Sequence, residues 1–204
     1  PHERKHLSPW NAAVVRSVGK REQAEDPRAR AAMDAEFERL RKRGVWDESK
    51  VREWKAVAEE ARRNGTKVHV GMIFGICGEK GSELPSGSPQ RKFKGRFVFQ
   101  GNQVRDESGQ AALFSDLSSA PATLEASKAA DAYGCLPGHK ITQCDAEQAY
   151  VQTSLKGTPT WVRLPHDRWP KAWEGMKDPV VPMHLALYGH PDSGGYWEAH
   201  CDAH

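Results

Sequence analysis

The chain has 204 residues, 38% apolar and 28% charged, enough to bury one large or two small cores. Thirty Lys and Arg against 27 Asp and Glu leave a formal charge of +3, so net charge by itself marks no nucleic-acid partner. No apolar run approaches the roughly 18 residues of a membrane span, and four cysteines without a CxxC pair or a secretory leader argue against a disulfide framework. A soluble, intracellular protein is expected.

Residues 1–25 are polar and basic without periodicity and read as a linker. Asp26-Pro27 then offers an N-cap followed by proline at the first helical position. Met33, Phe37 and Leu40 recur at helical spacing, Gly44 ends the helix, and Val45-Trp46 pins that end to the body. A second helix is expected over Ser49 to Arg63, with Val51, Trp54, Ala58 and Ala61 on one side and Asn64-Gly65 as its stop. From Lys67 to Ile76 the residues alternate, which predicts a half-buried strand with Val68, Val70, Met72, Phe74 and Ile76 on its inner face. Turn residues around 78–89 and a returning strand over Arg91 to Gln100 make 67–100 a long hairpin.

Arg91, Lys92, Lys94 and Arg96 are four cations in six residues with no acid among them. Strand side chains alternate, so Lys92, Lys94 and Arg96 face one way and Phe93, Phe97 and Phe99 the other. Such a strand packs inward on its aromatics and can meet phosphate outward, although a cation run by itself is most simply a solvated face. An irregular connection, Gln103 to Leu117, leads to Ser118-Ser119-Ala120-Pro121 and an alanine-rich helix over Thr123 to Tyr133, closed by Gly134. His139 to Cys144 reads as a short strand that delivers Asp145 to its end and then turns into a helix. Trp161, Trp169 and Trp173 could stack bases, but such residues more often close a small core, which is the reading preferred.

Asp145-x-x-x-Ala149-Tyr150 in that setting resembles the first catalytic motif of the reverse transcriptases. The flanks narrow the resemblance to the copia-type long-terminal-repeat retrotransposons, over about Met33 to Trp197. Met33, Glu36, Leu40 and Trp46 are similar to the family's opening helix. Lys94-Gly95-Arg96-Phe97-Val98, then Gly101 and Gln103, looks like its Lys-Ala-Arg-Leu-Val-x-x-Gly-x-x-Gln block, with the last Gln out of step by one. Gln143 before the Asp and Leu155-x-Gly157 after it continue the pattern. Leu187-Tyr188-Gly189, Ser193 and Trp197 match the family's Leu-Tyr-Gly-Leu-Lys-Gln-Ser-x-x-x-Trp, with His190-Pro191-Asp192 in place of Leu-Lys-Gln and one cation lost. The family's arginine early in the helix before the motif is missing too; Lys128 is the nearest match.

The resemblance implies an α+β fold of reverse-transcriptase fingers and palm, an antiparallel sheet backed by helices with a projecting β-hairpin. Residues 26–135 would be fingers-like and 136–204 a partial palm. It implies RNA-directed DNA synthesis on an RNA template and a DNA primer from deoxynucleoside triphosphates, within a Pol polyprotein that also carries integrase and RNase H. The setting would be a cytoplasmic particle or the nucleus, with no membrane partner. Nucleotidyl transfer uses two Mg²⁺ ions (Mn²⁺ can substitute), which activate the primer hydroxyl and hold the leaving oxygens, and magnesium takes oxygen ligands. Asp145 would be the catalytic metal ligand, helped by the Ala146 carbonyl. Lys94, Arg96, Ala149 and Tyr150 would bind the nucleotide, Tyr150 excluding a 2′-hydroxyl. Tyr188 and Gly189 would meet template and primer.

The family's second motif, aromatic-x-Asp-Asp, is not found in residues 1–204. It is expected beyond His204, and the fragment by itself is expected to lack polymerase activity. Two other readings compete. One is a catalytically dead or co-opted nucleic-acid-binding module. The other is a zinc-dependent structural domain around His200-Cys201-x-x-His204, which lacks a second ligand pair at the usual spacing.

Overall fold

The computed structural model describes residues 15–114 and 122–203. Among them seven strands form a mostly antiparallel sheet accompanied by five α-helices, so the fold is mixed α+β. The chain divides into two compact units, Pro1–Lys42 with Phe74–Val98, and Arg43–Ile73 with Phe99–His204. No helix among the described residues is long and apolar enough to cross a membrane.

In the first unit, β1 (Val15–Val18) and helix α1 (Lys20–Glu25) occupy part of the segment that reads as a linker. The cause lies far along the chain. β1 pairs antiparallel with the far end of β3 (His69–Lys80), Val15 opposite Lys80 and Val18 opposite Cys77. Arg16 also reaches the Glu79 carboxylate at 2.7 and 3.0 Å. Polar composition hides such a strand because its partner is distant in sequence, Glu79 standing 63 residues from Arg16. Helix α2 (Pro27–Arg43) begins as expected, the Arg28 N–H donating to Asp26 Oδ1 at 2.8 Å, and buries Ala29, Met33, Phe37 and Leu40. Phe37 meets Phe97 edge-on, ring centroids 5.1 Å apart. Burying Met33, Phe37 and Leu40 contributes roughly 1.5–3 kcal/mol for each.

The hairpin forms from β3 and β4 (Lys92–Phe99) inside the expected 67–100 span. Its inner face is not the expected one throughout. Val68 and Val70 are buried as anticipated, but Met72, Phe74 and Ile76 are 42%, 40% and 42% exposed. The opposite, glycine-bearing face is covered instead. A side chain at Gly71 would overlap the Phe99 ring, and one at Gly75 would overlap the Met33 methyl. Aromatic rings fill the space that those glycines leave open.

In the second unit the first residues of β3 pair in parallel with β6 (Thr160–Arg163), His69 opposite Thr160 and Met72 opposite Arg163. They also pair antiparallel with β5 (Arg105–Asp106). β6 then pairs antiparallel with β7 (Pro179–Pro182), and β7 with β2 (Arg52–Glu53). Val57, Ala61, Val68, Val70 and Val180 form a core with Trp54 and Trp161 against it. The second helix, α3 (Trp54–Asn64), starts five residues later than expected. Arg52 and Glu53 are drawn into the ladder with β7, and the Glu53 carboxylate accepts the Lys177 and Asp178 N–H groups at 2.7 and 2.8 Å. Of the three tryptophans, Trp173 is buried and Trp169 lies 6.3 Å from it, ring to ring, so they do close a core.

Candidate active site

The returning strand presents its residues as its alternation requires. Lys92, Lys94 and Arg96 are exposed, while Phe97 and Phe99 are buried and Phe93 is half-buried beneath the Arg28 guanidinium at 5.2 Å. At the turn end of this hairpin the buried Glu79 carboxylate receives both Arg16 and Arg91. Those two guanidiniums hold its pKa down at about 2. The clamp occupies Arg91, so the outward cations are the three on the even positions of β4.

In the second unit, the segment around Asp145 departs from expectation. Residues 139–146 carry no regular secondary structure, and Asp145 and Ala146 are exposed. A strand exists only where a neighbour completes its backbone hydrogen bonds; alternation alone supplies none. The helix expected after the aspartate is one 3-10 turn, Ala149–Gln152. Gln148 just before it is left-handed at φ 53°, which a right-handed helix cannot continue through. Helix α4 (Leu124–Gly134) precedes this segment, capped by Thr123 accepting the Ala126 N–H at 3.2 Å, and buries none of its residues. Ser118 to Pro121 lie outside the described residues.

The 3-10 turn is tied firmly to the body. Val151 is buried, its carbonyl accepts Arg43 Nε at 2.9 Å, and Ser154 bridges to Leu185. The Ala186 N–H donates to the Thr153 carbonyl at 2.9 Å. These ties place Tyr150 against Tyr188, ring centroids 4.4 Å apart. Two of the side chains expected to line the site, distant in sequence, are therefore neighbours.

Tyr188 and Gly189 form a turn that feeds α5 (Ser193–Asp202). The Phe99 N–H donates to the Tyr188 carbonyl at 2.7 Å. Gly189 is left-handed at φ 89°, and a side chain there would overlap the Phe99 carbonyl oxygen. Only glycine serves at such a position. Ser193 closes the turn, its Oγ donating to the Leu187 carbonyl at 2.8 Å and accepting the Leu187 N–H at 3.1 Å.

His190 is 95% buried, with 5% of its area exposed. Its ring packs on Phe99 at 4.9 Å and edge-on to Phe114 at 5.4 Å, and His69 packs on the same Phe114 at 4.9 Å. Burial, helped by His69, pushes the His190 pKa down to about 4. Burial lowers His69 as well and raises Asp192. Motif reading misses this cluster because its members come from β3, β4, the loop after β5 and the turn before α5.

The oxygen donors at 145–146 are of the kind magnesium takes, but one carboxylate is not a two-ion donor set. Among the described residues no group of three or more His, Cys, Asp or Glu side chains could hold a metal ion, and His204 of the His-Cys-x-x-His run lies outside them. Compared with protein-family models, curated proteins and solved structures, the chain matches none.

Proposed function

We propose that the chain is the fingers and part of the palm of an RNA-directed DNA polymerase of the copia type. The observation that carries this reading is the Tyr150–Tyr188 contact, which joins residues from the two motifs that resemble the family most closely. Tyr150 would lie under the sugar of the incoming deoxynucleotide and Tyr188-Gly189 beside the nascent pair. Lys94 and Arg96 would meet phosphate from the hairpin. Asp145 and the Ala146 carbonyl would hold Mg²⁺ together with carboxylates supplied by an aromatic-x-Asp-Asp segment. The bound ions would stabilise charge at the transferred phosphoryl group. RNA template, DNA primer and the remainder of a Pol polyprotein are the partners this role implies.

The test joins residues 1–204 to a segment carrying that second motif and measures primer extension on an RNA template in Mg²⁺. The joined protein extends the primer and its Asp145→Asn variant does not, while both bind template equally. Extension by the variant at the parent rate overturns the assignment. The irregular, exposed backbone around Asp145 favours a second reading, a nucleic-acid-binding module without catalysis. In that case the joined protein binds template but extends nothing.

A further inference from the structure

His190 sits where a turn, a strand and an aromatic cluster converge, and its two ring nitrogens are in unlike surroundings. Nδ1 lies 3.2 Å from the backbone N–H of Asp192 and accepts from it. That fixes the tautomer: Nδ1 carries no proton, so the proton of the neutral ring is on Nε2. Nε2 is buried and has no hydrogen-bond partner among the described residues. Buried polar atoms are almost always paired, so one left over calls for a reason.

The backbone around it explains what the ring holds. The His190 N–H donates to the Leu187 carbonyl at 3.1 Å, and the Ser193 N–H donates to the His190 carbonyl at 3.1 Å. Together with the Nδ1 bond, these close the loop from Leu187 to Ser193 around a ring wedged between Phe99 and Phe114. The same loop carries Tyr188 to Tyr150 and seats Gly189 against Phe99.

We propose that His190 is a positioning residue, a proton-sensitive latch that holds the Tyr188–Gly189 turn when neutral and releases it when Nδ1 takes the ring's second proton. A proton there would set donor against donor at the Asp192 N–H and put a cation among aromatic rings. The groups facing this ring and its partner do not relieve that charge well. His69 on β3 opposes a second positive charge. Asp192 acts on His69 with Asp106 and Glu107, while Lys67 opposes them. The Tyr196 hydroxyl of α5 donates to the Lys156 carbonyl at 2.9 Å. The turn's importance for template contact rests on the polymerase reading; the latch does not.

The test uses the free, ¹⁵N-labelled chain, so its outcome is independent of whether the protein synthesises DNA. Long-range ¹H–¹⁵N correlation at about pH 7 should show His190 protonated on Nε2 and bare on Nδ1. Titration toward about pH 4 should move the Gly189 amide and Tyr188 ring signals in step with His190. In His190→Leu that movement should be lost. A proton on Nδ1 at neutral pH, or Gly189 and Tyr188 signals that stay still while His190 titrates, overturns the latch. So does the same movement in the leucine variant. Should that variant fail to fold, the wild-type tautomer and titration still decide.

Discussion

The rings of Tyr150 and Tyr188 lie with centroids 4.4 Å apart at an interplanar angle of 53°. One stands on a 3-10 turn anchored by Arg43, the other on a turn anchored by Phe99, so their contact reports on both anchors. Tilted aromatic pairs contribute about 0.5–1.5 kcal/mol beyond area burial. Tyr188 is 45% exposed, which favours the lower end. A double-mutant cycle with Tyr150→Ala and Tyr188→Ala, followed by urea unfolding, should give a coupling of about 0.5 kcal/mol. Strict additivity would mean the rings do not support one another.

Glu79 should govern part of the acid sensitivity of the first unit. Its folded pKa of about 2 lies below the ordinary carboxylate value because Arg91 and Arg16 favour the ionised form. A group depressed in this way adds stability that is complete above about pH 4.3 and fades as the pH falls through about 2. Glu79→Gln should lower the urea midpoint at neutral pH and flatten its fall between those two values, as followed by circular dichroism. An unchanged acid profile would assign the loss to other carboxylates.

Two hairpin glycines should differ in what they tolerate. A Cβ at Gly75 meets the end of the Met33 side chain, which can swing aside. A Cβ at Gly95 comes within 2.7 Å of the Ala32 carbonyl oxygen and 2.9 Å of the Met33 Cα, both backbone of α2. Gly75→Ala should therefore cost less than about 1 kcal/mol and Gly95→Ala about 1–3 kcal/mol. Equal costs in denaturant melts would mean that α2 yields as easily as a methionine methyl.

The outward cations of β4 should act as phosphate contacts. Replacing Lys94 and Arg96 by alanine should weaken binding of single-stranded RNA and reduce the slope of log affinity against log salt by about 0.7 for each contact removed. Asp145→Asn should leave that slope alone. A titration by fluorescence anisotropy at several salt concentrations measures both. Loss of affinity without a change in slope would assign these residues a structural part.

Local patterns were sufficient for much of this molecule. The spacing of Met33, Phe37 and Leu40, capped at Asp26, defines α2, because helix periodicity and capping involve neighbouring residues only. The outward cations of β4 were legible for the same reason. The inner face of β3 was not. Alternation says which side chains share a face, whereas Phe97, Phe99 and Met33 decide which face is covered, and they leave Met72, Phe74 and Ile76 half-open. Nor could alternation make His139 to Cys144 a strand, since hydrogen bonds must come from another segment. The burial of His190 was likewise decided from outside its own stretch, by rings contributed by Phe99 and Phe114. What neighbours in sequence do to one another can be read from order alone; burial and pairing depend on what packs in from elsewhere, and only the folded chain brings those partners together.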